Sequence, residues 1–460
     1  MIYSGKNAVV LGLGHSGEAA ALLLREEGAQ VTICESRDDA ALRAKAARLE
    51  ALGITTRFGD EAENDPANYD VCVLSPGIDP VVSLVQNVVR KNIPIIGELE
   101  LAFKECSCPV VAITGSNGKT TTTELTTAML AGSGVRTAAS GNIGIPFATM
   151  VHQSNELDVI VLEVSSFQLE STSTFRPHVA VWLNLSPNHL DRYRDMKEYR
   201  DAKLRIFRRQ TEEDFAVVNA QEDLPPMAAR RITFSAATDE ADFTLRGTVI
   251  HFRGEPVLDQ SKIQLQGLHN AENLMAALGV GVALGADLER MAAAVADYHA
   301  PAHRCEFVRE RAGVRWVNDS KATNLDALEK AIRSQDRPLV LVAGGKDKGL
   351  GFESMAQIVQ QRVREVVLIG EMKDQILKAW SCAGLTIHLV DTLEEAVTIA
   401  ADVARTGETV LFSPGTSSFD MFRNYGERGT LFKEFVNALP VPGLEAPDSS
   451  PQNATKNQKI

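Results

Sequence analysis

Short apolar runs with no polar alternation recur along the chain, separated by stretches whose apolar positions fall three and four apart. The runs include NAVVL (7–11), QVTIC (30–34), DVCVL (70–74), PVVAI (109–113), VIVLEV (159–164), VAVWLNL (179–185) and FAVVNA (215–220). Further along come VRWVND (314–319), LVLVAGG (339–345), VVLIGE (366–371), TIHLVD (386–391) and TVLFSPG (409–415). A strand covered on both faces has no polar side, so these runs predict central strands. The helical stretches between them predict an α/β chain with mainly parallel sheets. HNAENLMAALGVGVALGA (269–286) reads as a buried helix. The segment 233–265, broken at Gly247 and Gly254, reads as an antiparallel patch.

Two breaks divide the pattern, at Gly97 and at Ala300-Pro301-Ala302. They predict one domain over 1–97, a second over 98–302 and a third over 303–440, with hinges near 97 and 302. A chain of 460 residues suits about three domains. The stretch 441–460 is polar and rich in Pro, Ser and Asn, which predicts disorder.

Composition narrows the partners. With 44% hydrophobic and 23% charged residues the chain is of ordinary globular type. A net charge of −13 argues against a nucleic-acid groove and against an anionic membrane surface. No apolar run approaches the ~18 residues of a membrane span, and the N-terminus has no signal pattern. Six scattered cysteines without a CxxC pair fit a reducing cytoplasm.

Candidate chemistry collects where the apolar runs end. TGSNGKTTT (114–122) lies between a strand and a helix. Gly115, Asn117, Gly118, Lys119, Thr120 and Thr121 in it form a phosphate cradle of backbone N–H groups, one lysine and hydroxyls. Ile113 stands where the usual loop has its first glycine. Gly12-Leu13-Gly14-His15-Ser16-Gly17, with Glu35 after the next strand, has the dinucleotide spacing. It fits NAD, another nucleotide or only a tight turn. Glu163 ends a strand, where a carboxylate beside a phosphate loop can hold Mg²⁺. Asn184, Asn188, His189 and Asp191 cluster after another strand. Lys203 shares a helix face with Tyr199 and Phe207. A lysine on such a stripe is expected to snorkel its ammonium to water. The third domain offers HRCEF (303–307), NDSKATN (318–324), GGKDKG (344–349) and SPGTSSFDMFRNYGERG (413–429) in loops suited to anionic small molecules.

In this order, TGSNGKTTT, EVSSFQLE, NLSPNHLDRY, AKLRIF, GLHNAENLMAA, HRCEFV, NDSKATN and SPGTSSFDMFRNYGERG resemble the Mur ligases, ATP-dependent amino-acid-adding enzymes of peptidoglycan synthesis. The resemblance covers roughly 5–435. GLGHSG and SSFDMFRNYGERG point to the branch that adds D-glutamate. It implies a Rossmann-like N-terminal domain, a central ATPase-type domain with a phosphate loop, and a Rossmann-like C-terminal domain. It also implies a cytoplasmic, monomeric ligase whose substrates are ATP, UDP-N-acetylmuramoyl-L-alanine and D-glutamate, working through an acyl phosphate and a tetrahedral intermediate. Lys119, Asn142, His189 and Lys203 would be catalytic, with Asn142 also at the substrate or γ-phosphate region. Thr120 and Glu163 would hold one Mg²⁺. His189 and Lys203, the latter as a carbamate formed with CO₂, would hold a second. Asn270, Arg304 and Asp319 would bind the nucleotide. Gly14, Ser16, Glu35, Ser36, Arg37, Ser75 and Gly77 would bind the UDP part, and Lys321, Lys348, Ser418 and Phe419 the glutamate. The alternatives are another amide ligase of the superfamily, an NAD-dependent oxidoreductase using GLGHSG, and a nucleotide-binding switch.

Overall fold

Because helices cover both faces, the apolar runs become inner strands of three sheets, except TIHLVD (386–391), which forms an edge strand whose residues stay partly exposed. The computed structural model describes residues 2–440 except 66, 191, 264, 266, 297–301, 336, 347–350 and 382–383. Lys348, Asp191 and the polar stretch 441–460 lie outside the described residues.

The first sheet contains β1 (Asn7–Leu11), β2 (Gln30–Glu35), β3 (Thr55–Phe58), β4 (Val71–Leu74) and β5 (Ile95–Gly97). All are parallel, in the order β3-β2-β1-β4-β5. The order reverses between β1 and β4, so their C-terminal ends open the crevice where ligands of such sheets bind. Gly12 and Ser75 lie there.

The second sheet contains β6 (Val110–Thr114), β7 (Thr137–Gly141), β8 (Val159–Glu163), β9 (Val179–Trp182), β10 (Phe215–Asn219), β11 (Arg230–Ser235), β12 (Phe243–Arg246), β13 (Val249–Phe252) and β14 (Glu255–Asp259). Its order is β14-β13-β12-β11-β10-β9-β6-β8-β7, and among the described residues only the β12–β13 and β13–β14 pairings are antiparallel. The antiparallel patch expected from 233 therefore begins only at β12, since β11 still pairs parallel with β10 and β12. Gly247 (φ +60°) and Gly254 (φ +91°) make its turns. Register sets Ile113 and Gly141 against Glu163, and Thr114 against Trp182. Four strand ends, those of β6, β7, β8 and β9, thus meet at one edge. The helix Leu268–Leu284, apolar nearly all round, packs on β10 and β11 and on the helix Lys119–Gly132.

The third sheet contains β15 (Glu306–Arg311), β16 (Val314–Asn318), β17 (Leu339–Ala343), β18 (Val363–Leu368), β19 (Thr386–Leu389) and β20 (Thr409–Phe412). Its order is β15-β16-β20-β17-β18-β19, and only β15 runs antiparallel.

Residues up to 300 form one compact body and those from 301 another. In the first body one apolar core runs through both sheets. It includes Leu23, Leu24, Leu99, Leu101, Phe147, Met150, Leu162 and Trp182. The helix His15–Glu26 packs on the helices Glu98–Glu105 and Phe147–Met150. The chain is pinned where a hinge was expected. Gly97 N–H donates to Ser171 O (3.0 Å), and a Cβ on Gly97 would come within 2.3 Å of Ser171 Oγ. Glu98, fully buried, accepts from Ala148 N–H. Glu100 accepts the backbone N–H groups of Ser173, Thr174 and Phe175. The second expected hinge, near 302, adjoins residues outside the described set.

Candidate functional site

The phosphate loop leaves β6 at Thr114 and enters the helix at Lys119. Gly118 takes φ +85°, and a Cβ on it would come within 2.5 Å of Asn273 Oδ1, so backbone conformation and space both require glycine. The loop is clamped from behind by the segment after β9. Ser116 N–H donates to Asn184 O (2.9 Å) and Asn117 N–H to Asn184 Oδ1 (2.9 Å). Asn184 Nδ2 returns a bond to Asn117 O (3.1 Å). Ser116 Oγ donates to Ser186 O and accepts from Ser186 N–H, both at 2.9 Å. Asn273 fixes the other flank: its Oδ1 accepts from Thr122 Oγ1 (3.1 Å), and its Nδ2 donates to Asn270 Oδ1 (3.4 Å).

Two lysines converge on one carbonyl. Lys119 Nζ donates to Gly115 O and Ser116 O (2.9 Å each), and Lys203 Nζ donates to Gly115 O (3.0 Å). The snorkelling expected of Lys203 does not occur. The side chain is 1% exposed and lies over the Tyr199 ring at 4.7 Å, because Tyr193, Tyr199 and Ala202 close a small apolar cluster around its helix. Burial, reinforced by Lys119 and opposed by Glu163, holds its ammonium well below the ordinary lysine value. The shift moves the balance from ammonium toward the neutral amine deep beside the phosphate loop.

Glu163 ends β8 and is 3% exposed. One carboxylate oxygen accepts from Asn142 Nδ2 (2.8 Å), while the other is buried without a hydrogen-bond partner. Asn142 is itself held by its N–H on Glu163 O (2.8 Å). A buried carboxylate oxygen left bare is costly, and a divalent cation would satisfy it. Among the described residues no group of three or more His, Cys, Asp or Glu is placed to hold a metal. A cation here would thus draw on Glu163, the Thr120 hydroxyl and oxygens of its ligand. That hard-oxygen set suits Mg²⁺.

His189 adopts a left-handed backbone (φ +57°), anchored by its N–H on Asn188 Oδ1 (3.0 Å). Its ring meets Phe167 edge-on at 4.8 Å and Tyr199 at 6.2 Å. Asn188 is 5% exposed, and the bond its Oδ1 accepts from His189 N–H accounts for a polar residue at that buried position.

In the first sheet, Gly12 (φ +92°) makes the turn after β1. Gly17 lets the helix approach, since a Cβ there would lie 2.0 Å from Gly12 O. Glu35 faces its own loop: its carboxylate accepts from Leu13 N–H (3.0 Å) and Arg37 N–H (3.1 Å). Ser36 Oγ lies 3.5 Å from it. Lys45, outside the sequence-predicted set, donates to Leu13 O (3.1 Å) and Gly14 O (3.2 Å). Ser16 is half-buried in the first turn of the helix and Gly77 is exposed. Ser75 Oγ is buried without a partner.

In the second body the loops after β16, β17 and β20 come together. Asp319 is 5% exposed and accepts from Cys305 N–H (3.1 Å) and Ser413 Oγ (2.7 Å). Burial lifts its carboxyl to about 6. Arg304 lowers that value through its charge. Lys321 places its ammonium 5.4 Å from the Tyr425 ring. Ser418 is buried and Phe419 is 66% exposed. Arg428, which the sequence motifs contain without assigning a role, ties these loops through Ser320 Oγ and O, Thr416 O and Ser417 O. The clamps by Asn184, Ser186 and Asn273 were also missed. The only sequence signal for Asn273 is its place three residues after Asn270, on one helix face.

Comparison with known proteins covers the same three regions. Residues 6–97 match the model "Mur ligase MurD-like, N-terminal domain", 113–281 "Mur ligase middle domain" and 303–415 "Mur ligase, glutamate ligase domain". The UDP-N-acetylmuramoylalanine–D-glutamate ligase of Geobacter metallireducens is 42% identical over 95% of this chain and 99% of its own length. The protein of that name from Geotalea uraniireducens is 41% identical over 94% and 98%. Among solved structures, the UDP-N-acetylmuramate-alanine ligase MurC of Thermotoga maritima covers 93% of this chain and 98% of its own. Its TM-score is 0.60 at 17% identity, a likeness of fold. The chain belongs to the Mur ligase family.

Proposed function

We propose that this chain is an ATP-dependent, ADP-forming ligase that joins D-glutamate to UDP-N-acetylmuramoyl-L-alanine in peptidoglycan precursor synthesis. The observation that carries it is end-to-end identity of about 40% with relatives bearing that name.

The chemistry demands an activated carboxylate, because oxide is a poor leaving group and phosphate a good one. The alanine carboxylate takes the γ-phosphoryl group of ATP, and the D-glutamate amine then attacks the acyl carbon to give a tetrahedral intermediate that expels phosphate. In this proposal Gly115, Asn117, Gly118 and Thr121 present the loop to the phosphates, and Lys119 leaves its carbonyls to neutralise the charge developing on the transferred group. Thr120 and Glu163 would hold Mg²⁺, with Asn142 orienting Glu163. The ion would supply charge neutralisation at the phosphates. His189 and Lys203 would hold a second ion, Lys203 as a carbamate. The lowered ammonium value of Lys203 supports this, because only the neutral amine takes up CO₂.

Asn270, Arg304 and Asp319 are assigned to the nucleotide. Gly14, Ser16, Glu35, Ser36, Arg37, Ser75 and Gly77 are assigned to the UDP moiety, and Lys321, Ser418 and Phe419 to D-glutamate. The domains are placed at 1–97, 98–302 and 303–440, and the enzyme is placed as a cytoplasmic monomer with small-molecule partners only. Phosphate release from ATP with UDP-N-acetylmuramoyl-L-alanine, with and without D-glutamate, tests the proposal. Release that does not depend on D-glutamate would overturn it.

A further inference from the structure

Arg192 joins two regions to which the proposed function gives opposite ends of one long substrate. It follows His189 in a tight turn: the N–H groups of Arg192 (3.1 Å) and Tyr193 (3.0 Å) both donate to His189 O. Its guanidinium lies 4.1 Å over the Phe167 ring, and that ring touches His189. One nitrogen donates to Glu170 Oε2 (2.9 Å), and Glu170 also holds the Tyr193 hydroxyl. Another nitrogen reaches out of the second sheet to Pro76 O (3.3 Å), between Ser75 and Gly77 at the end of β4. The side chain is 16% exposed.

A cavity of about 270 Å³ opens beside this strap, lined by Ser75, Pro76, Ile78, Phe167, Glu170 and Arg192. A second, of about 440 Å³, also touches Arg192 and Glu170. Stacking and a forked set of donors fix a guanidinium in both direction and distance, which an ammonium cannot do.

We infer that Arg192 is a positioning residue that sets the register between the nucleotide end and the acyl end of the substrate, by holding the 75–77 loop at a fixed offset from Phe167 and His189. This rests on the proposed function. Without the strap each end would still find its subsite, but one molecule would not satisfy both. A ligand that spans the sites therefore loses affinity and attack geometry, whereas a ligand confined to one end does not.

The test compares UDP-N-acetylmuramoyl-L-alanine with UDP alone on the full chain carrying Arg192→Ala, Arg192→Lys or Phe167→Leu. Calorimetry gives Kd for both ligands, and phosphate release gives kcat/KM. The expected result is a loss of about tenfold to a hundredfold in Kd and kcat/KM for the spanning substrate, with UDP affinity within about twofold of the parent. Arg192→Lys should rescue only in part. Equal weakening of both ligands would mean that Arg192 merely supports the loop, and unchanged binding of both would mean that it sets no register. Either result overturns the inference. If Arg192→Ala does not fold, Arg192→Lys and Phe167→Leu read out the same difference. Absence of D-glutamate-dependent turnover in the parent chain would sink the proposed function, while the two binding constants would still decide the role of Arg192.

Discussion

Two glycine turns, one after β1 and one after β6, share a strand–loop–helix plan but differ in the charge of the side chain that takes a loop N–H group. After β1 the Leu13 N–H is taken by the Glu35 carboxylate, and Lys45 takes the carbonyls of Leu13 and Gly14. After β6 the Asn117 N–H is taken by a neutral amide, and two lysines share the Gly115 carbonyl. At the first turn a carboxylate and a lysine offset each other, where the bonds named at the second come from a neutral amide and lysines. Glycine spacing shapes the turn, and its neighbours decide how much anionic charge it tolerates. A phosphoryl group about to be transferred belongs at the second.

Removing the second turn's charge gives the largest expected effect. Lys119→Ala should lower D-glutamate-dependent phosphate release by about a thousandfold while leaving the Kd of UDP unchanged. An unchanged rate would erase the contrast between the loops. Lys203→Ala should cost about a hundredfold in the same assay, and near-parental activity would rule out a metal-holding carbamate. Asn142→Ala frees the Glu163 carboxylate to swing and should raise the Mg²⁺ concentration for half-maximal rate by about tenfold or more. Mg²⁺ titration of initial rates checks this. Turning to the first loop, Glu35→Ala leaves the Leu13 N–H unpaired at a cost of about 1–3 kcal/mol. It should raise KM for the uridine substrate roughly tenfold without moving KM for ATP. A shift in both constants would show that the turns are not independent.

The smallest effect probes the junction between the two sheets. Burial raises the Glu98 carboxyl from 4.5 to about 7. Unfolded chains ionise it first, so its contribution is fully present below pH 4.5 and is lost as pH rises toward 7. Glu98→Gln should therefore melt higher than the parent at about pH 8, with the gap closing toward pH 5. Thermal scans across that range measure it, and a gap that widens on acidification would reverse the sign.

Much of the fold was legible because apolar runs buried on both faces leave a plain trace. Three strands left none. TTRF and TAASG are short and half-polar, and EFVRER is a charged edge strand whose antiparallel pairing covers one side only. The site was legible where chemistry is local, as in the loop around Lys119 and in Glu163 at a strand end. It was not legible where the partner is far along the chain. Asn184 is 67 residues from Asn117, and Asn273 is 151 from Thr122. Periodicity misplaced Lys203, because a helical stripe shows which residues share a face but not whether the face is sealed. The turn at Glu35 was readable as a nucleotide fingerprint, but the sequence did not show that the acid binds its own loop.

The continuous core beneath the first two sheets bears on how relatives exchange parts. The helix Glu98–Glu105 lends Leu99 and Leu101 to a core that also contains Leu23 and Phe147, and its two buried acids reach into the second sheet's connections. A chimera spliced at 97 would graft a foreign floor under the first sheet. A graft that also carries this helix, Phe147–Met150 and 171–175 keeps those contacts within one parent, so recombination has its seam in packing, not at the end of a strand.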